Sequence, residues 1–532
     1  MISKSESTSS PIKVLITTSG LGSRLGDLTT FTNKSLVKVG DKLALSHVID
    51  CYPPETNFVI TLGHFGNQVR DFLELAYPGH NFTFIGVERY EGEGSSLGLS
   101  MLTASEFLQE PFIFHASDTL ISPEEVILDR SQDWVAGYRG KTAAQYASFD
   151  ASSGNVMKFH PKGSMKFDYI HIGLVGIYSY KEFWENLKEE YLQNPNEPSL
   201  NDLSALKSLL KKSCVFKVKE VKTWIDIGNT ESLLNARKFF GQKYAVLEKP
   251  DESISFVGNS VIKFFADETI AKNRVKRAEI LKGIAAEVVG SKGSFYKYDF
   301  INGNLVSEMA SPPIDSLLRW SEVHLWNRHE EISAVEFQSV CMNFYRTKTL
   351  SRIDSFLEKS RFDERNSNIN GIEIPSIFDL MSLVDFDYLA SGVQSKFHGD
   401  FILDNILVTS DGFKLIDWRQ DFGGSLMTGD IYYDLAKLNH SLIVNHEIVN
   451  QNHFKISITE NGITCDIYRK NELVECSELL HRYISENGYD LKKVRILSAI
   501  IWLNMAPLHH HPFDLFLFNF GKLNLWRALH HG

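Results

Sequence analysis

Cysteine is scarce and unpaired in this sequence. The five cysteines of 532 residues, Cys51, Cys214, Cys341, Cys465 and Cys476, include no C-x-x-C pair, which argues against a disulfide framework and against a Cys-based zinc site. With only 15 Pro and 35 Gly the chain is neither disordered nor collagen-like. No apolar run approaches the roughly 18 residues of a membrane span, and the opening MISKSESTSSPIK is polar where a secretory signal would be apolar. A soluble, cytoplasmic protein without membrane insertion is expected. Blocks of consecutive basic residues are also missing, and 55 Lys+Arg stand against 66 Asp+Glu for a formal charge of −11, so a broad nucleic-acid footprint is excluded while local basic pockets for phosphates are not. The run His509-His510-His511 has no accompanying carboxylate or cysteine cluster and reads as surface or acceptor-pocket lining rather than as a metal site.

Present instead are 43% hydrophobic and 23% charged residues, the mixture of a packed globular chain long enough for two to four domains. From residue 11 to about 240, β-branched runs (IKVLITT, TNFVITLG, NFTFIGVE, EPFIFHAS, DYIHIGLVGIY, SCVFKVKEV) alternate with helical patterns. That alternation predicts βαβ units and a mostly parallel sheet. After QKYAVLEKPDES the character changes. SISFVGNSVIKFFAD and GSFYKYDFINGNLVSEMA read as hairpins around a helical stretch, and beyond residue 310 the chain reads as mainly helical, its aromatic-rich end as core helix. The expected domains are 11–241 and 252–532, the latter with a small lobe 252–310 and a helical lobe 311–532.

The first chemistry lies directly after the opening strand. Ser19-Gly20-Leu21-Gly22-Ser23-Arg24-Leu25 is a small, glycine-containing turn that lets backbone N–H groups approach a triphosphate, or else a tight turn without a ligand. Arg24 and, within Asn33-Lys34-Ser35-Leu36-Val37-Lys38-Val39, Lys34 add permanent cations where an anion would sit. These segments resemble the nucleotidyltransferases that make NDP-sugars and CDP-choline, with their G-x-G-x-R-L loop and K-x-L-x-x-V. The likeness continues through Gly92-Glu93-Gly94-Ser95-Ser96-Leu97, through Phe112 to Asp118, through Phe159-His160-Pro161-Lys162 and through Trp224-Ile225-Asp226-Ile227-Gly228-Asn229. It implies a Rossmann-like fold and the following roles: Arg24 and Lys34 catalytic, Ser19, Gly20, Gly22, Ser23 and Gly94 on the nucleotide, Lys158 and Lys162 on the acceptor phosphate, Asp118 and Asp226 on Mg²⁺. The physical need is plain, since joining an NTP to a phosphate brings two polyanions together and requires cations and a hard metal. His115 reads as structural. The sequence departs from the family at Thr18-Ser19, at Asn33 where the family has Pro, and in a degenerate E-K-P motif.

The second chemistry is denser. Phe397-His398-Gly399-Asp400, then Asn405 five residues after the Asp, then Ile416-Asp417-Trp418 at the end of the next strand, is the spacing phosphoryl transfer uses in kinases. Asp400 would accept or orient the hydroxyl proton, and Asn405 and Asp417 would hold Mg²⁺ against ATP. This resembles the aminoglycoside phosphotransferase and choline kinase superfamily, whose downstream G-D-x-x-Y-D-L-A is matched by Gly429 to Ala436. The resemblance implies a bilobal, protein-kinase-like α+β domain, with Lys263 gripping ATP phosphates, Glu279 as its partner and Glu308 in the adenine hinge. Asp430 and Asp434 are expected to brace the loop.

Together the readings predict a bifunctional enzyme with Mg²⁺ at both sites that uses ATP and a second NTP. A kinase would phosphorylate a sugar at its anomeric hydroxyl, and a nucleotidyltransferase would make an NDP-sugar from the product. Two alternatives stand beside it: a choline-like alcohol giving a CDP-alcohol, and a regulatory protein whose first site is inactive. The base, the acceptor and the oligomeric state are open.

Overall fold

The computed structural model describes residues 11–140, 143–243, 249–328 and 330–530. It divides into two compact units, Met1–Ala271 with Val289–Tyr298, and Lys272–Val288 with Asp299–Gly532.

The strands of the first unit begin with β1 (Lys13–Thr17), β2 (Asn57–Leu62), β3 (Asn81–Gly86), β4 (Phe112–His115), β5 (Thr119–Ile121) and β6 (Trp134–Tyr138). They continue with β7 (Ser148–Ser152), β8 (Asn155–His160), β9 (Tyr169–Ile177), β10 (Lys217–Glu220) and β11 (Trp224–Asp226). Nine of them form one sheet in the order β3-β2-β1-β4-β9-β6-β10-β8-β7, while β5 and β11 pair separately. Val14, Leu15 and Ile16 of β1 are all fully buried, as a central strand covered on both faces requires. β1 lies parallel to β2 and to β4, so the loop leaving its carboxyl end opens between two strand ends. That is where ligands bind in sheets of this kind. The helices α1 (Gly66–Ala76) and α2 (Leu97–Thr103) belong to the crossovers, α1 burying Val69, Phe72, Leu73 and Leu75 along one side.

Beyond β4 the sheet is less parallel than the sequence pattern predicts. β9 runs antiparallel to both β4 and β6, and β7 and β8 form a hairpin. The reason is local: Ser153 and Gly154 both have positive φ, 50° and 76°, the two-residue turn that closes an antiparallel pair. Trp134 of β6 is buried at the centre, its indole N–H donating to the Asp129 carbonyl at 2.7 Å. Gly176 of β9 faces it so closely that a Cβ would lie 2.0 Å from Trp134 Nε1.

A second sheet, β12 (Glu252–Val257), β13 (Ser260–Phe265), β14 (Val288–Lys292) and β15 (Phe295–Asp299), has the order β12-β13-β15-β14. Read from the sequence as the small lobe of a second domain, it shares the core of the first unit. Phe295 packs on Phe72 of α1 at 5.8 Å, the Phe256 N–H donates to the Asp41 carbonyl at 2.9 Å, and Lys297 Nζ donates to the Leu75 carbonyl at 2.8 Å.

The second unit is mainly helical. Its elements include α3 (Lys348–Ser360), α4 (Ile431–Ser441), α5 (Leu491–Met505) and α6 (Phe513–His530). α6 buries Phe513, Phe516, Phe518 and Phe520, as its aromatic sequence predicts. A small sheet of β16 (Asn304–Leu305), β17 (Ile406–Thr409) and β18 (Gly412–Leu415) presents residues 400–405 and 416–419 at its ends. No helix among the described residues is long and apolar enough to cross a membrane.

Replacing Trp134 by Ala removes the largest side chain of the first core and should cost about 3–5 kcal/mol. The urea midpoint of the transition reporting the first unit should fall accordingly, and an unchanged midpoint would show that β6 does not anchor that core.

Candidate functional site

The loop after β1 is held open by glycine. Gly22 has φ 70°, and a Cβ there would lie 2.7 Å from Lys34 Cβ, so only glycine lets the loop pass the lysine. Gly20 borders open space, where an added Cβ would meet nothing within 4 Å. Ser23 and Arg24 follow, exposed, at the start of a 3₁₀ turn. The hydroxyls that distinguish this chain from the family it resembles are used internally. Thr18 Oγ1 donates to the Thr61 carbonyl at 2.7 Å, and Ser19 Oγ shares a 2.7 Å hydrogen bond with Ser100 Oγ. Ser19 therefore offers its backbone and not its side chain.

Asn33, fully buried, ties the loop to the lysine. Its amide donates to the Thr18 carbonyl at 2.9 Å and the His64 carbonyl at 2.5 Å, and its Oδ1 accepts from the N–H and the hydroxyl of Ser35 at 2.9 and 2.7 Å. A proline at this position could make none of the side-chain bonds. Lys34, the next residue, then reaches Asp118 Oδ2 at 2.9 Å.

Asp118 and Asp226 meet because β11 pairs with β5. Asp226 stands opposite Thr119, and the Ile227 N–H donates to the Asp118 carbonyl at 3.1 Å. Glu125 fixes the approach of β11 by accepting from the N–H groups of Lys222 and Thr223 at 2.7 and 2.9 Å. A Cβ at Gly228 would lie 3.1 Å from Asp226 Oδ1 and 3.6 Å from Asp118 Oδ2, which shows how nearly the two carboxylates converge. Their charges differ in support. Burial pushes the Asp118 carboxyl up, but the Lys34 ammonium, with Arg24 adding to it, outweighs burial and holds it below its ordinary value. Burial and the neighbouring Asp118 raise Asp226, against a hydrogen bond of 3.1 Å from the Tyr146 hydroxyl. Two such carboxylates, one of them destabilised by the other, suit Mg²⁺, which takes one or two carboxylates and completes its shell with water and substrate phosphates. A cluster of three or more His, Cys, Asp or Glu side chains able to hold a metal does not occur among the described residues.

Gly94 is buried with φ 82°. Lys158 on β8 and Lys162 just after it are exposed. His115 is structural, as expected: it lies between the Tyr52 hydroxyl at 2.8 Å and the Thr119 carbonyl at 2.9 Å, and burial pushes it down to about 4. A cavity of about 960 Å³ lined by Lys13, His80, Phe82 and Glu110 opens at the amino ends of β1 to β3. That is the wrong end of these strands for the loop chemistry.

In the second unit the Asp400 loop is clamped from below by Asp434, a fully buried residue of α4. Its carboxylate accepts from the backbone N–H groups of His398 and Gly399 at 2.8 and 2.7 Å and from the Trp326 indole at 3.3 Å. Asp430 similarly accepts from the Val393 N–H at 2.9 Å and the Tyr345 hydroxyl at 2.8 Å. Asp434 braces the loop as the sequence predicts, whereas Asp430 holds Val393 and Tyr345 and, among the described residues, forms no hydrogen bond to the loop itself. Asp400 itself is gripped on both oxygens: Asn405 Nδ2 donates to Oδ2 at 3.1 Å, and Lys437 Nζ pairs with Oδ1 at 2.7 Å. Burial raises the Asp400 pKa, yet the Lys437 ammonium wins and holds it down at about 2. Asp417 adopts φ 57°, a strained value for a non-glycine residue, and pairs with Arg274. The Ile416 N–H donates to the Asn405 carbonyl at 2.9 Å, so Asn405 and Asp417 stand at one place. Glu279 and Glu308 of this unit are exposed, while Lys263, buried on β13, belongs to the first unit.

Sequence reasoning missed three contributors: Asn33, Tyr146 and Lys437. Lys437 lies three residues past Asp434 on α4, the helix that also carries Ile431 to Ala436 of G-D-x-x-Y-D-L-A. Its helical spacing alone puts it on the side of the bracing aspartate.

No family model matches the chain. Among curated proteins, the bifunctional protein GlmU of Methanococcus maripaludis (strain C5) is 22% identical over 263 residues, 47% of this chain and 60% of that protein. The chain thus spans less than two thirds of the curated relative it matches. Among solved structures, the CTP:phosphocholine cytidylyltransferase LicC of Streptococcus pneumoniae is 15% identical with a TM-score of 0.38, over 43% of this chain and 100% of that one. An apo UDP-glucose pyrophosphorylase is 15% identical at 0.37, over 43% and 98%. A putative glucose-1-phosphate thymidylyltransferase of Bacillus anthracis is 20% identical at 0.37, over 45% and 98%.

Asn33→Ala leaves the buried Thr18 carbonyl, the half-buried His64 carbonyl and the Ser35 donors without their Asn33 partner and should cost about 2–4 kcal/mol. Differential scanning calorimetry should show the first unit melting lower with the second unit's transition unmoved; an unmoved first transition would contradict the role given to Asn33.

Proposed function

We propose that the first unit transfers a nucleotidyl group from an NTP to a phosphorylated small acceptor with release of pyrophosphate. The convergence of Asp118 and Asp226 beside Lys34, at the mouth of the Gly20–Gly22 loop, carries this reading. The loop's N–H groups and Arg24 take the triphosphate, Lys34 neutralises charge at the reacting phosphates, and Lys158 or Lys162 takes the acceptor phosphate. Bound there by Asp118 and Asp226, Mg²⁺ would supply Lewis-acid stabilisation of the charge on the reacting phosphates.

The second unit, on the same proposal, phosphorylates the acceptor with ATP. Glu279 and Glu308 belong to the ATP side, Asn405 and Asp417 would hold Mg²⁺, and Asp400 faces the hydroxyl. With its pKa held at about 2, Asp400 is a weak base. It orients the hydroxyl and takes its proton late, as a loose phosphoryl-transfer transition state allows. Consecutive use of the two sites gives a nucleotide-activated product, and the W-x-D-I-G segment favours a sugar 1-kinase joined to a sugar-1-phosphate nucleotidyltransferase serving glycan synthesis.

Pyrophosphate release from CTP, GTP, UTP and dTTP with a panel of phosphorylated acceptors tests the first activity. Asp226→Asn should lower it by about 100-fold or more, since one carboxylate then faces the metal and two phosphates alone. Asp400→Asn should lower ADP formation by about 100-fold while leaving pyrophosphate release from pre-phosphorylated acceptor intact. Loss of both activities in a folded Asp400→Asn variant would contradict two separate sites.

A further inference from the structure

Asp400 separates two chemically different sides. Its Oδ2 faces Asn405, which leads through the Ile416 hydrogen bond to Asp417 and so to the proposed metal and ATP. Its Oδ1 faces Lys437, and on that side cations accumulate. Arg419 begins there, its N–H donating to the His398 carbonyl at 3.0 Å, and a Cβ on Gly399 would touch Arg419 Cβ at 2.7 Å. The guanidinium lies 5.1 Å from the centre of the Phe344 ring, and Lys348 Nζ of α3 lies 4.1 Å from the same centre. Phe344 in turn meets Tyr433 edge-on at 4.9 Å, one helical turn before Lys437 on α4. Arg352 follows Lys348 by one turn of α3.

Four cations, Lys348, Arg352, Arg419 and Lys437, thus line one side of the Asp400 loop. The acids facing them are Asp400 itself and Asp421, whose backbone carbonyl accepts from Arg419 Nε at 3.0 Å. Among the described residues, Lys348, Arg352 and Arg419 form no ion pair. Like charges at i and i+4 on a helix destabilise it, so an uncompensated Lys348–Arg352 pair beside two further cations is costly unless an anion completes it. Burial, and then the neighbouring Arg419, Arg352 and Lys437, push the Lys348 ammonium well below its ordinary value. An incoming anion would reverse that.

We infer that the acceptor phosphorylated in the second unit is an anionic alcohol, carrying a carboxylate or phosphate besides its reactive hydroxyl, and that Lys348 and Arg419, flanking Phe344, bind that oxyanion. The inference rests on the kinase reading of Asp400 and sharpens it: a quaternary or primary ammonium alcohol would meet repulsion here, whereas a sugar acid or sugar phosphate would meet charge-assisted hydrogen bonds. The acceptor would place its oxyanion against Lys348 and Arg419 and its hydroxyl against Asp400. Ethanolamine- and choline-like acceptors are excluded.

The test uses the full chain saturated with Mg²⁺ and a non-hydrolysable ATP analogue, and titrates inorganic phosphate, D-glycerate and choline by isothermal calorimetry. Phosphate or glycerate should bind and choline should not, the stronger of the two anions telling which oxyanion the site takes. Lys348→Met, which keeps the side chain's length and packing on Phe344, should weaken the anion at least tenfold; if it fails to fold, Arg352→Gln gives the same comparison with a smaller loss. Equal anion affinity in wild type and variant, no anion binding at all, or choline binding more tightly than either anion would overturn the inference. Binding of the ATP analogue is read separately. If the analogue does not bind while the Lys348-dependent anion site persists, the kinase reading fails and the anion site stands.

Discussion

Bringing anions together is the constraint on which both units depend. Carboxylates that are to hold a metal must stand close, and closeness in a partly dry site raises the free energy of each by mutual repulsion and desolvation. In the first unit the opposition is met asymmetrically: Lys34 compensates Asp118, while Asp226 is left raised by burial and by its neighbour. The surrounding structure serves that arrangement. The β5–β11 pairing sets the carboxylates side by side, Glu125 fixes the chain entering β11, Gly22 makes room for Lys34, and Asn33 fixes the lysine's backbone to the loop.

The second unit meets the same constraint with other parts. Asp400 is held ionised by Lys437 from an adjoining helix rather than by a residue of its own loop. The loop's backbone is in turn hung on Asp434. An ion pair of this kind keeps the carboxylate charged and oriented at the expense of basicity. That trade suits a reaction in which the protein mainly positions and neutralises. Because Lys437 and Asn405 take different oxygens of Asp400, the pair also gives the site a polarity, with the groups proposed for the metal on one flank and Lys348, Arg352 and Arg419 with Lys437 on the other.

Much of the candidate site could be read from residue order because its chemistry sits in short contiguous motifs. Gly20, Gly22, Lys34, Asp118, Asp226, Asp400, Asn405 and Asp417 each stand at the end of a strand or in a tight turn, where spacing is fixed by backbone geometry. The bracing role of Asp434 and the structural role of His115 were legible for the same reason. Asn33 and Lys437 were not, because each acts on a partner set by the fold: Asn33 on the His64 carbonyl 31 residues away, Lys437 on Asp400. The β7–β8 hairpin was missed although Ser153-Gly154 marks its turn, since its strands, SFDAS and NVMKFH, lack the apolar runs of the parallel ones. The association of the 252–299 sheet with the first core depends on Phe72 and Phe295, 223 positions apart in a pattern that either unit could have claimed.

Counting divalent ions directly addresses the central claim that two carboxylate-centred sites serve two nucleotides on one chain. Mn²⁺ titration of the full chain followed by electron paramagnetic resonance, with a non-hydrolysable ATP analogue and a non-hydrolysable analogue of the preferred NTP, should show two nucleotide-dependent classes of bound ion. Asp226→Asn should remove one class and Asp417→Asn the other. A single class, or two classes that survive both substitutions, would contradict the account.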